Sequence, residues 1–157
     1  MTRIKLPEEK LEKESFKSLP AKDKEEYVSN LLKKVLDINP EGVTISTLKE
    51  ATGLTASTIW HHLEILKSSS QIRKISHGNM DVYYPFGEME YIADFDDGNV
   101  RYSLSNVNNV EGKFLCIHEK RENRLGSYSI LRGVGLPFNL LDDFAAAFKN
   151  AKKSMKK

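Results

Sequence analysis

The side chains with most to offer a surface partner stand close together, between Thr55 and Asn79. Thr55, Ser57 and Thr58 carry short hydroxyls, Trp60 a flat ring and His61 an imidazole. Lys67, Arg73 and Lys74 carry fixed positive charge, and His77 and Asn79 follow. Hydroxyls at the start of a helix can come close to phosphates and base edges, and the free amides and positive dipole end there favour an anion. His61 can donate to a base or a phosphate. Trp60 either packs on the neighbouring hairpin or lies against a sugar or thymine methyl. Arg73, Lys74, His77 and Asn79 surround a hairpin turn, where cations suit phosphates or a minor groove.

Several neighbours read more plainly. His62 falls on the apolar side of its helix and reads as a core-edge histidine rather than a ligand. Glu64 repels phosphate, so it either accepts from a cytosine amino group or lies off the nucleic acid. Adjacent residues on a helix point about 100° apart, so His61 and His62 do not make a metal pair. No nucleophile–base pair, paired carboxylates, metal-ligand spacing or phosphate-cradling glycine loop occurs, so neither catalysis nor a cofactor or metal is expected.

The elements that must position these groups are legible in the spacing. After a lead-in over residues 1–17, read as flexible or partly helical, Tyr27, Val28, Leu31, Leu32, Val35 and Leu36 mark one face of a helix that stops at Asn39-Pro40-Glu41-Gly42. A short helix from about Ser46 to Thr52 breaks at Gly53, and Thr55 caps the next, about Ala56 to Ser69. In that helix Ile59, His62, Leu63 and Leu66 face inward, with Ser57, His61, Glu64 and Ser68 opposite. Gln71–Ser76 and Met80–Pro85 form a hairpin around His77-Gly78-Asn79, with Ile72, Lys74 and Ser76 on one side, Arg73 and Ile75 on the other, and Val82 and Tyr84 expected inward. Three helices and a hairpin give the order of a winged helix, over residues 18–86. Residues 87–157 read as four short strands closed by a terminal helix bearing Leu141, Phe144 and Phe148. The fold class expected is α+β.

Bulk properties narrow the partners. The 157 residues are 39% hydrophobic and 29% charged, so a core can form. No apolar run reaches the roughly 18 residues that span a bilayer, and no leader is evident. A single cysteine, Cys116, excludes an internal disulfide and suits a cytoplasmic setting. The net charge is only +2, but unevenly placed: five acids and no base from Glu88 to Asp97, then eleven Lys or Arg against five acids from Gly98 onward, an excess of six. The acidic stretch is expected to mask the basic surface that follows it.

ISTLKEATGLTASTIWHHLEILKSSSQIRKISHGNMDVYYPF, from Ile45 to Phe86, resembles the winged helix of ArsR- and MarR-type regulators. LKEATGLTASTIWHHLEIL matches their helix-turn-helix and GNMDVYYPF their wing. SSSQI replaces the usual acidic-Ala-Gly-Leu turn, and the metal-sensing cysteines of some members are absent. The resemblance implies duplex DNA binding by a homodimer. Residues 101–148 are similar to the single-stranded-DNA-binding domain of the positive-cofactor-four family, whose curved strands precede a dimerising helix. That resemblance implies base stacking by Tyr102, Phe114, His118 and Tyr128, with Arg101, Lys113, Arg124 and Arg132 along the backbone. The competing reading makes half of those aromatics sheet core. Phe114, Cys116 and His118 share one face, opposite Lys113, Leu115 and Ile117, and alternation alone leaves open which is buried.

Three functions follow in rank: a dimeric transcription regulator on duplex DNA, its second domain dimerising or touching single strands; a protein-interaction winged helix of basal transcription or replication machinery; a sensor or enzyme. The second draws on near-neutral charge, four Lys or Arg against four acids from Glu41 to Phe86.

Overall fold

A computed structural model describes residues 3–8, 13–124 and 126–156; parts of the lead-in (1, 2 and 9–12), Leu125 and Lys157 lie outside the described residues. The chain divides into two compact units, Met1–Phe86 and Gly87–Lys157. It is α+β, and the described residues form five α-helices and two antiparallel sheets.

Unit 1 holds α1 (Lys13–Lys17), α2 (Ala21–Asp37), α3 (Ile45–Thr52), α4 (Ala56–Ser68), and a hairpin of β1 (Ile72–His77) and β2 (Met80–Pro85). The α2 stripe of Val28, Leu31, Leu32, Val35 and Leu36 meets Leu48 of α3 and Ile59, Leu63 and Leu66 of α4, all buried. Thr44 and Thr47 cap α3 reciprocally: Thr47 N donates to Thr44 Oγ1 at 3.2 Å, and Thr44 N to Thr47 Oγ1 at 3.0 Å. Gly53 ends α3 at φ +74°, a conformation that costs glycine nothing. Among its described residues the lead-in is partly helical, through α1, and tethered at Lys5. Buried Asn39 donates to Val35 O and Lys5 O at 2.6 and 2.9 Å and accepts from Lys5 N at 2.9 Å. Ile4 and Phe16 pack against the core.

The inward residue of β2 differs from expectation. Tyr83 is fully buried and Tyr84 only half so, while Val82 is buried. The register explains it: Lys74 pairs with Tyr83, which puts Tyr83 on the face of core residue Ile72. Tyr83 N and O also pair with Val43 at 2.8 and 2.9 Å, locking the hairpin onto the corner after α2. Val82 and Tyr84 face Gly42, at φ +98°, where any Cβ would lie 2.6 Å from each side chain.

Unit 2 is a meander of β3 (Glu88–Asp97), β4 (Val100–Asn109), β5 (Gly112–Glu122) and β6 (Tyr128–Pro137), then a 3-10 turn (Phe138–Leu140) and α5 (Leu141–Met155). Register shifts interrupt β3–β4 between Tyr91 and Ala93 and β5–β6 between Glu119 and Lys120, and such bulges increase local bend and twist. The sheet buries Ser103, Val107, Cys116, His118 and Leu136. Burial pushes the Cys116 thiol up to about 11. The expected closure by the terminal helix is not seen in a single chain. None of the described α5 residues is buried, and Tyr91, Phe95, Leu131 and Val134 stay exposed on the sheet.

Candidate nucleic-acid interface

The two sides of α4 differ sharply in burial. Ile59, His62, Leu63 and Leu66 are buried, whereas Ser57, Trp60, His61, Ile65 and Ser68 are exposed, Trp60 at 54% and Ile65 at 41%. Thr55 caps the helix, its Oγ1 accepting from Thr58 N at 3.3 Å and donating to Thr58 Oγ1 at 2.9 Å. Thr55 and Thr58 therefore spend hydroxyl capacity on the cap, Ser57 Oγ lies 3.2 Å from Thr55 Oγ1 at its exposed edge, and His61 is exposed beside it.

His62 behaves as its spacing predicts. Its Nδ1 lies 2.8 Å from Ser29 Oγ on α2, joining the two helices through a partly buried polar contact. Burial, reinforced by the neighbouring His61 and opposed by Glu25, holds its pKa below the ordinary 6.5. The sign of the linkage follows. The unfolded imidazole takes a proton near pH 6.5 and the folded one only lower, so acid favours the unfolded chain through that window. Hydrogen exchange of α2 and α4 amides should therefore show weaker protection as pH falls below 6.5, after correction for the intrinsic exchange rate. His62→Gln should remove most of that pH dependence; an unchanged profile would place its origin elsewhere.

The hairpin cations are already engaged. Arg73 Nε donates to Pro85 O at 3.2 Å, its guanidinium carbon lies 4.9 Å from the Tyr84 ring centre, and Nη1 is buried without a hydrogen-bond partner. Lys74, on the other face as alternation requires, sits 4.0 Å from Glu64 and 3.7 Å from Asp81. Lys67 is 2.8 Å from Glu64, one turn earlier on α4. A bond from Ser76 Oγ at 2.5 Å, with Lys74 adding to it, holds the Asp81 carboxyl below its usual range. His77, with a ring nitrogen 3.4 Å from Tyr84 Oη, and Asn79 remain exposed near the turn. Thus Ser57, Trp60, His61, His77 and Asn79 stay exposed, Ser57 with its Oγ 3.2 Å from Thr55 Oγ1, while Lys67, Arg73 and Lys74 are spoken for. Sequence reasoning missed this network. The i,i+3 spacing of Glu64 and Lys67 was its one local signal.

A groove of about 360 Å³ runs beside the start of α4, lined by Phe16, Lys24, Glu25, Val28, Ser57, Thr58, His61 and His62.

In unit 2 the residues expected to hold single strands divide between faces. Cross-strand pairing puts Arg101, Phe114 and Tyr128 on the side of Cys116 and His118, and Tyr102, Lys113 and Arg132 on the opposite side. Arg101 is held by Asp96 at 2.6 Å and Asp94 at 3.7 Å and stacks 4.1 Å from the Tyr128 ring centre. The paired charges hold the guanidinium above and Asp96 below their ordinary values. Part of the acidic stretch thus does cover a basic residue, through strand pairing. Arg132 is 2.9 Å from Glu119, and Arg124 is exposed in the β5–β6 loop.

Among the described residues no group of three or more His, Cys, Asp or Glu is placed to hold a metal ion, and no helix is long and apolar enough to cross a membrane. No family model, curated protein or solved structure matches the chain.

Proposed function

We propose that unit 1 is a winged helix-turn-helix that reads duplex DNA, with α4 as the helix entering the major groove and the β1–β2 hairpin as the wing, in a dimeric transcription regulator. The observation that carries this reading is the open side of α4. Ser57, Trp60 and His61 are exposed on a helix whose other side is pinned by Ile59, Leu63 and Leu66. Groove-reading helices need that asymmetry, because base contacts come from the side the core does not use. Unit 2 supplies the dimer: Tyr91, Phe95, Leu131 and Val134 stay exposed on its sheet, and α5 carries Leu141, Phe144, Phe148 and Met155 with none buried. Single-strand contact, through Tyr102, Lys113, Arg124 and Arg132, is a secondary role of the same unit.

Competition between duplex and single-stranded probes on the full chain tests this directly. Duplex binding should be salt-sensitive. In a selection from random duplexes, His61→Ala and Ser57→Ala should change the preferred sequence, each good base contact being worth about 1–3 kcal/mol of discrimination. Uniform weakening at every site would reduce them to positioning groups. One observation favours the second reading, a protein-interaction winged helix: the large apolar side chains Trp60 and Ile65 are each exposed on α4, while Lys67 and Lys74 are paired within the chain. Failure of both probes at low salt would move the conclusion there.

A further inference from the structure

Lys67, Arg73 and Lys74 are the only Lys or Arg in α4, β1 and β2, and none is available as a bare charge. Arg73 is packed on Tyr84 and bonded to the Pro85 carbonyl. Lys67 and Lys74 both approach Glu64, and Lys74 also approaches Asp81. Glu64 is itself peculiar. One carboxylate oxygen takes Lys67, while Oε1 is buried without a hydrogen bond, 4.0 Å from the Lys74 ammonium. A buried, unsatisfied carboxylate oxygen lowers stability, and buried polar groups in native proteins are rarely left so. Its charge lies at the junction of helix and hairpin, within 4.0 Å of both lysines.

We infer that Glu64 and Asp81 are selectivity residues, which suppress sequence-independent binding to duplex DNA by occupying Lys67 and Lys74 in the free protein. The inference rests on the winged-helix reading above. A lysine that must leave a carboxylate to reach a phosphate exchanges one ion pair for another. Counterion release at that phosphate is then offset by the carboxylate left exposed, so the sequence-independent part of the affinity shrinks. Contacts that depend on base identity, from Ser57 and His61, are untouched by the exchange. Like-charge repulsion between Glu64 and the phosphates acts in the same direction.

The test uses the full chain and a short duplex of random sequence across a salt series. The Glu64→Gln/Asp81→Asn variant should bind more tightly, by roughly tenfold at moderate salt, with a salt slope steeper by about 1.8, two phosphates at about 0.9 each. Adding Lys67→Ala and Lys74→Ala to that variant should abolish the gain. If the parent protein binds duplex and the double variant shows the same slope, the inference falls while the winged-helix reading stands. If neither binds at low salt, both fall. Binding by the variant alone supports both. Thermal unfolding checks that the variants are folded. Should the double variant not fold, Asp81→Asn, which changes an exposed side chain, carries the test alone with a slope change of about 0.9.

Discussion

In sedimentation, the Phe144→Asp/Phe148→Asp variant is expected to run as a single chain of 17.9 kDa, whereas the parent protein runs at twice that mass. The reasoning starts from spacing. Leu141, Phe144, Phe148, Ala151 and Met155 recur at alternating steps of three and four along α5, the seam of a helix that pairs with another. Phe148 is 59% and Met155 86% exposed. Burying a large apolar side chain gains about 1.5–3 kcal/mol. Phe148 and Met155 from each chain, with half-buried Leu141 and Phe144 adding less, give a dimer on the order of 6–12 kcal/mol, in the range of the estimated cost of association. The exposed apolar residues of the sheet, Leu131 and Val134 among them, add to it. Charge sets the direction. Asp142 and Asp143 stand in the first turn, and Lys149, Lys152 and Lys153 toward the far end. An antiparallel partner therefore brings opposite signs together and a parallel one like signs. Two aspartates in the seam bury charge against charge and cannot be accommodated. Phe144→Leu/Phe148→Leu should stay dimeric. A parent protein that sediments as a monomer at micromolar concentration would remove the dimer altogether.

What could be read in the sequence was local. The inward stripe of α4 follows from Ile59, Leu63 and Leu66 at helical spacing, and the helix starts from Thr55 and Gly53, all within one short window. The hairpin turn at Gly78, φ +64°, is equally local. What failed was set by register between distant segments. Tyr83 and Tyr84 are adjacent tyrosines, and only the pairing of Tyr83 with Val43 decides which is buried. Arg101 looks like a free cation until β3 lies beside β4 and brings Asp94 and Asp96 to it. β6 runs ten residues to Pro137, because Val134 and Leu136 find partners in Ile117 and Leu115 on β5. Alternation in β5 is mixed on both faces, so burial of Cys116 and His118 needed the bent sheet itself.

Tyr83→Ala should destabilise unit 1 by about 3–5 kcal/mol, the usual cost of truncating a buried aromatic, which is much of a small domain's total stability. The hairpin that carries it should lose protection from hydrogen exchange along with α4, since Tyr83 packs in the same core as Ile59 and Leu63. Tyr83→Phe separates the ring from its hydroxyl. Tyr83 Oη is buried with no hydrogen-bond partner, and burial, with Glu64 and Asp81 adding to it, pushes the phenol above its ordinary pKa. Removing an unpaired buried hydroxyl spares its desolvation penalty, so Tyr83→Phe should be neutral or stabilising by up to about 1–2 kcal/mol. Urea unfolding followed by helical circular dichroism measures both variants. A large loss for Tyr83→Phe would mean that the hydroxyl bonds to Glu64 or a bound water in solution. The junction between helix and hairpin would then be held by that bond as well as by Lys67 and Lys74. Equal, small effects for both variants would mean that the hairpin is not part of the core that fixes α4, and a wing free of that core could not be relied on to sit beside the helix in a groove.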